Sequence, residues 1–184
     1  NFDEMTDLPK QLRARLEETY SATGARIIKV ARSSDGTEKY LYSLNDGSLV
    51  EGVLMTYKYG RTLCVSTQVG CRMGCAFCAS GRDGLFRNLS CGEMLGELTA
   101  ANARAGDKRV GNVVLMGSGE PLDNYENVTK FIRRLSESGI VGQRSVSLST
   151  CGLTDKVRAL ADGGFSVTLC LSLHSPFDDR RVKI

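Results

Sequence analysis

Long apolar runs are missing from this sequence: none approaches the roughly 18 residues of a membrane-spanning helix. No secretory leader is expected from the opening "NFDEMTDLPKQL", which is acidic and polar; it also lacks an initiator Met, as a truncated or processed start would. There is no internal repeat and no low-complexity linker, so nothing divides the chain into an array. Histidine is almost absent. His174 is the only one, and read alone it is a hydrogen-bonded structural residue, not a metal ligand. Paired CxxC knuckles, the usual mark of structural zinc, are also lacking, because only one such pair occurs.

What remains is an ordinary soluble composition. The 184 residues suit one domain, or one domain with a small appendage. The apolar fraction is 41% and the mean hydropathy −0.17. A net charge of +3 is compatible with a nucleic-acid partner without demanding one. The cations are scattered: Arg82 and Arg87, then Arg104, Lys108 and Arg109, then Arg133 and Arg134, then Arg180, Arg181 and Lys183. Most of them read as solvated surface. The seven cysteines are an odd number and four fall between residues 64 and 78. Without a leader, free thiols or metal ligands fit them better than disulfides.

Leu8, Leu12 and Leu16 mark an approximate helical stripe over 7–20. From 25 to 56 the pattern becomes strands broken by "SSDG" and "NDGS", which predicts a small antiparallel meander. A different rhythm starts at "TLCVSTQ", a strand followed by a cysteine loop. Ser90 and Glu93 form an S-x-x-E capping box before the helix of Met94, Leu95 and Leu98. After the strand "GNVVLMG", Asp123 and Glu126 repeat the capping pattern, and Val128, Phe131, Ile132 and Leu135 follow at helical spacing. "RSVSLST", "DKVRALADGG" and "FSVTLCLSLH" read as strand, helix and strand. This alternation implies an α/β fold of about four parallel βα units. The division is then 1–60, meander and preceding helix, and 61–184, βα core. A complete eight-unit barrel takes roughly 250 residues, so the core is expected to be a partial barrel and the chain an interior fragment.

Cys71, Cys75 and Cys78 are spaced C-x3-C-x2-C on one short loop. Three thiolates can bind a soft metal. Zinc would want a fourth ligand, which Cys64 or Cys91 could supply. A [4Fe–4S] cluster usually takes four cysteines, and three leave one iron open to a substrate or cofactor. Further on, "LMGSGEPLDN" is a Gly-rich turn after a strand. Such a turn lets backbone approach a ligand, and Glu120 adds an anionic acceptor suited to an ammonium group.

The cysteine spacing, with Phe77 between the last two cysteines, resembles the radical S-adenosylmethionine (SAM) superfamily. There the open iron is chelated by the amino and carboxylate groups of SAM, which is split to a 5′-deoxyadenosyl radical. The turn at Gly119 and Glu120 resembles the superfamily's GGE element, with Ser118 where a Gly is usual. "TLCVSTQVGC", "FRNLS", "GSGEPLDN", "LSTCG" and "LSLHSP" narrow the resemblance to its adenine-specific rRNA and tRNA methyltransferases, from about residue 2 to 184. "NFDEMTDLPKQLR" resembles the end of their N-terminal helical accessory domain.

That resemblance implies methylation of C2 of an adenine in 23S rRNA, and of the adenine beside the anticodon in tRNAs, through a methyl-cysteine intermediate. It implies Cys64 as the thiol that resolves the protein–RNA adduct and Glu51 as a proton acceptor. Cys71, Cys75 and Cys78 become cluster ligands. Glu120 with Gly119, and Ser149, Ser172, Leu173 and His174, become SAM-binding residues at strand ends. It further implies a flavodoxin or ferredoxin as electron donor, a cytoplasmic location and a monomeric full-length protein. The family's methyl-carrying cysteine and a later SAM-contacting Asn match nothing up to residue 184, so the 184 residues alone are expected to bind a cluster without methylating RNA. A sister enzyme acting on C8 of the same adenine shares nearly all these motifs. A zinc-binding RNA module and a degenerate paralogue are the other readings that stay open.

Overall fold

The computed structural model describes residues 2–106 and 108–184. Asn1, first of the segment read as an accessory-domain end, lies outside the described residues. A helix α1 (Lys10–Thr19) leads into a meander of β1 (Ala25–Arg32), β2 (Glu38–Leu44) and β3 (Leu49–Tyr57). β4 (Gly60–Cys64) follows. Then come a short hairpin of β5 (Gln68–Gly70) and β6 (Leu85–Asn88), α2 (Cys91–Ala105), β7 (Val110–Leu115), α3 (Tyr125–Glu137), β8 (Val146–Thr150), α4 (Thr154–Asp162), β9 (Thr168–Leu171) and α5 (Asp178–Arg181).

Seven strands form one sheet in the order β1-β2-β3-β4-β7-β8-β9. The meander is antiparallel, and β4, β7, β8 and β9 are the four parallel strands that the alternating pattern predicts. Residue 60 falls where β3 turns directly into β4 as a hydrogen-bonded pair, so meander and parallel strands share one continuous ladder. The sheet is open and no closed barrel forms among the described residues. None of the helices among the described residues is long and apolar enough to cross a membrane.

Alternation along the strands sorts the two faces. Leu63, Val113, Leu115, Val146 and Leu148 are buried and join Met94 and Leu98 of α2 with Val128, Phe131, Ile132 and Leu135 of α3 in the core. The intervening residues Cys64, Val114, Ser147 and Ser149 are half-buried on the opposite, open face. The stripe on α1 behaves differently. The helix begins only after Pro9 and buries no residue, and Leu12 stays exposed.

The Ser90–Glu93 capping box forms in full, its carboxylate also gripped by Arg87. The second expected box does not. α3 starts one residue later, with Asn124 in the cap position, and Asp123 points away to accept from Gln68 and Arg72, each at 2.8 Å. A cationic guanidinium and a buried amide outcompete the helix N–H groups for that carboxylate. Asn124 also turns inward, donating to the carbonyls of Thr67 and Leu89.

Candidate functional site

The cysteine loop is the connector of the β5–β6 hairpin, closed at its base where Cys71 N–H donates to the Gly84 carbonyl. It follows β4, so it stands at the C-terminal edge of the parallel strands, where α/β sites form. Cys71, Cys75 and Cys78 are all free and half-buried. Burial pushes the Cys71 thiol up, and the neighbouring Cys75, Cys78 and Glu120 add to the effect, so the three thiols and the carboxyl share one electrostatic neighbourhood. Among the described residues no three His, Cys, Asp or Glu side chains converge as ligands of one metal ion. Three soft thiols on one short connector, mutually close and reachable from outside, still suit the donor set of an iron–sulfur cluster.

After β7 the Gly-rich turn folds back against β5. Ser118 N–H donates to Ser66 Oγ, and the Ser118 carbonyl accepts from Thr67 and Gln68 N–H. Gly119 has φ +102°, and a Cβ there would stand 2.5 Å from the Gln68 Cβ, so this position needs glycine. Ser118 keeps an ordinary φ, which is why Ser is tolerated where the resemblance leads one to expect Gly. Glu120 is buried, and its Oε2 accepts from Cys151 N–H at 2.8 Å beyond β8. The Cys151 thiol is exposed yet pushed up to about 12, by desolvation first, then by Glu120 and Cys75.

β8 and β9 meet at the pair Ser149–Cys170, and the hydroxyls of Ser149 and Ser172 lie 2.9 Å apart. β9 is shorter than "FSVTLCLSLH" suggests. Its ladder runs on to Ser172, whose N–H reaches the Thr150 carbonyl, and then breaks into tight turns. His174 follows at φ +56°, the only non-glycine at positive φ among the described residues. Its ring packs against Phe77, with centroids 4.5 Å apart. A strained backbone joined to the cysteine loop is typical of a ligand site. Leu173 is exposed beside it.

Cys64 ends β4 on the open face, opposite Val53. Burial pushes its thiol up to about 11, the Met116 backbone N–H pulls the other way, and Glu97 adds to the rise. Glu51 lies two residues from Val53 on the same face of β3. Its carboxylate is exposed and engaged by Lys39 at 2.8 Å, while its carbonyl accepts from Ser66 Oγ. The strand ends thus gather Cys64, Cys71, Cys75, Cys78, Gly119, Glu120, Ser149, Ser172, Leu173 and His174 at one rim. Glu51 is set beside it on the antiparallel side.

Sequence reasoning missed Gln68, Asn124, Ser66 and Glu97. The first three are polar residues with no spacing signature. Glu97 did carry a signal: it sits within the apolar stripe of Met94, Leu98 and Ala101, where a charge is out of place.

Comparison with known proteins gives a family match, two relatives and a solved structure. The Radical SAM superfamily sequence model matches residues 65–184. A probable dual-specificity RNA methyltransferase RlmN of Clostridium botulinum strain Eklund 17B is 51% identical over all of this chain and 54% of its own length. One from Lachnoclostridium phytofermentans is also 51% identical, with 52% of its length covered. The crystal structure of a radical SAM methyltransferase from Sphaerobacter thermophilus superposes with a TM-score of 0.94 at 42% identity, covering 100% of this chain and 55% of that one. The chain spans about half the length of the curated relatives it matches.

Proposed function

The chain belongs to the radical SAM superfamily, and from that premise we propose that the protein methylates C2 of an adenine in 23S rRNA and the adenine beside the anticodon in tRNAs. The relatives named as dual-specificity RNA methyltransferases support this, as does the superposition on a radical SAM methyltransferase. The observation that carries it is the shared neighbourhood of Cys71, Cys75, Cys78 and the buried Glu120 at the C-terminal ends of the parallel strands.

In this reading Cys71, Cys75 and Cys78 would hold a [4Fe–4S] cluster, which when bound would supply an electron for the reductive cleavage of SAM. Glu120, fixed by Leu122 and Cys151 N–H groups, offers its carboxyl to the SAM ammonium. Ser149 and Ser172 present a joined pair of hydroxyls to the rest of SAM, with Gly119, Leu173 and His174 along the same rim. C2 of adenine is a poor nucleophile, so the methyl group would be delivered by radical addition of a methyl-cysteine carbon to the ring, leaving a carrier sulfur–carbon bond that a second thiol would break by forming a disulfide with that sulfur. Cys64 is the thiol for that step. With its thiol raised to about 11 it is protonated at neutral pH, so it needs a base, and Glu51 on the same face is the candidate once released from Lys39. The electron comes from a flavodoxin or ferredoxin, and the protein works in the cytoplasm as a monomer.

Two measurements test this. Anaerobic reconstitution of the chain should give a brown protein with roughly four irons per chain; stoichiometric zinc and no colour would sink the cluster. Mass spectrometry of RNA digests should show 2-methyladenosine disappearing when the full-length gene is deleted. Loss of the 8-methyl isomer instead would assign the sister reaction.

A further inference from the structure

The mechanism above makes no use of Glu97. It lies on α2 with none of its surface exposed. Its Oε2 accepts from Ser66 N–H at 3.2 Å, and its Oε1 is buried with no hydrogen-bond partner among the described residues. The space it enters is left by Gly52. A Cβ at that residue would stand 3.4 Å from Glu97 Oε2, 3.0 Å from the Cys64 carbonyl oxygen and 2.7 Å from the Tyr42 ring.

This cleft has a structural cause. The β3–β4 ladder ends at the pair Val53–Cys64. Past that pair the chain has lost its strand partner on the β3 side, and side chains take over. Glu97 receives the Ser66 N–H, and the Ser66 hydroxyl donates to the Glu51 carbonyl at 2.7 Å. An ionised carboxylate with one bare, buried oxygen is costly, whereas a protonated acid keeps one oxygen as acceptor and gains a hydroxyl. The surroundings agree. Burial drives the Glu97 carboxyl well above its usual range, the Ser66 N–H opposes this, and Glu93 adds to the rise. Among the described residues the titratable groups whose fields reach it are Tyr42 on β2, Cys64 on β4 and Glu93 on its own helix, none of them a cation.

We propose that Glu97 is a positioning residue for Cys64: as a neutral acid wedged where β3 and β4 part, it holds the end of β4 and sets how the thiol is presented to the open face. Its weight in the reaction rests on the reading of Cys64 given above. Thiol reactivity, however, is measurable without cluster, SAM or RNA.

The test has two parts. In infrared spectra at neutral pH, the protein minus its Glu97→Gln variant should show the carbonyl band of one protonated carboxyl. Alkylation of Cys64, followed across pH by peptide mass spectrometry, should be unchanged in Glu97→Gln, which keeps shape and neutrality. Glu97→Leu, and Glu97→Asp with its shorter reach, should label Cys64 roughly tenfold faster near pH 8: without an acceptor for the Ser66 N–H the end of β4 opens, and each unit by which relief of burial lowers the thiol pKa multiplies the thiolate about tenfold. Absence of the band overturns the proposal. So does a Gln variant as fast as the Leu variant, or Leu and Asp variants that label like the parent. If Glu97→Leu does not fold, the Asp and Gln variants and the infrared band decide. A chain that takes up no iron sinks the proposed function and leaves this result standing.

Discussion

The backbone N–H of Glu120 donates to Oε1 of Gln68 at 2.9 Å. The other end of the same amide, Nε2, donates to Asn88 and to Asp123, each at 2.8 Å. One buried side chain therefore ties the acidic turn after β7 to both strands of the hairpin that carries the three cysteines. Distances between those two parts are set by the protein before any ligand arrives.

Replacing Gln68 by Leu strands the Glu120 N–H and two acceptors in a buried place. The expected cost is about 1–3 kcal/mol, read from urea denaturation. SAM affinity should fall by about tenfold with iron content kept, which separates loosened geometry from loss of the cluster. Unchanged stability would show the network to be slack.

Iron binding should divide the cysteines into two groups. Changing Cys71, Cys75 or Cys78 singly to Ser should drop the reconstituted protein from roughly four irons per chain to near none. Cys64→Ser and Cys151→Ser should keep the iron. A Cys64 variant without iron would place that thiol among the ligands, as a zinc site would.

Acid should weaken the fold through Glu38, which ties β2 to Arg104 of α2. Burial works against the charged form of Glu38, but Tyr40, Arg32 and Arg104 outweigh it and bring the carboxyl to about 2. Between its ordinary value of 4.5 and about 2 the unfolded chain binds a proton that the folded one does not. Stability contributed by Glu38 is thus present above pH 4.5 and lost as pH falls through 2. Glu38→Gln should flatten this slope in denaturation curves taken from pH 5 down to 2, and an unaltered slope would remove Glu38 as its source.

Phe131 is completely buried between α3 and the sheet. Phe131→Ala should cost about 3–5 kcal/mol through lost burial and a cavity. Chemical denaturation checks it directly.

Much of this architecture was legible because it rests on local periodicity. Val128, Phe131, Ile132 and Leu135 declare their helix, and the Asp-Gly turns declare the meander. The cysteine spacing and "GSGEPLDN" pointed to the rim where the structure puts them. What stayed hidden depends on contacts between distant segments. Asp123 read as a cap because its neighbours in sequence fit one, but Gln68 and Arg72, more than fifty residues away, claim its carboxylate. β5 and β6 are too short to show alternation, and Asn124, distant in sequence, ties their ends by donating to the carbonyls of Thr67 and Leu89. Glu51 fits the resemblance, but nothing in the sequence foretold its pairing with Lys39.

The cysteine loop hangs from a two-stranded sheet of its own, firmly tied at its base and outside the main ladder. Such a mounting lets the loop open locally while the seven-stranded sheet keeps its own hydrogen bonds, so amide exchange should run faster in the loop than along the β4–β7 ladder.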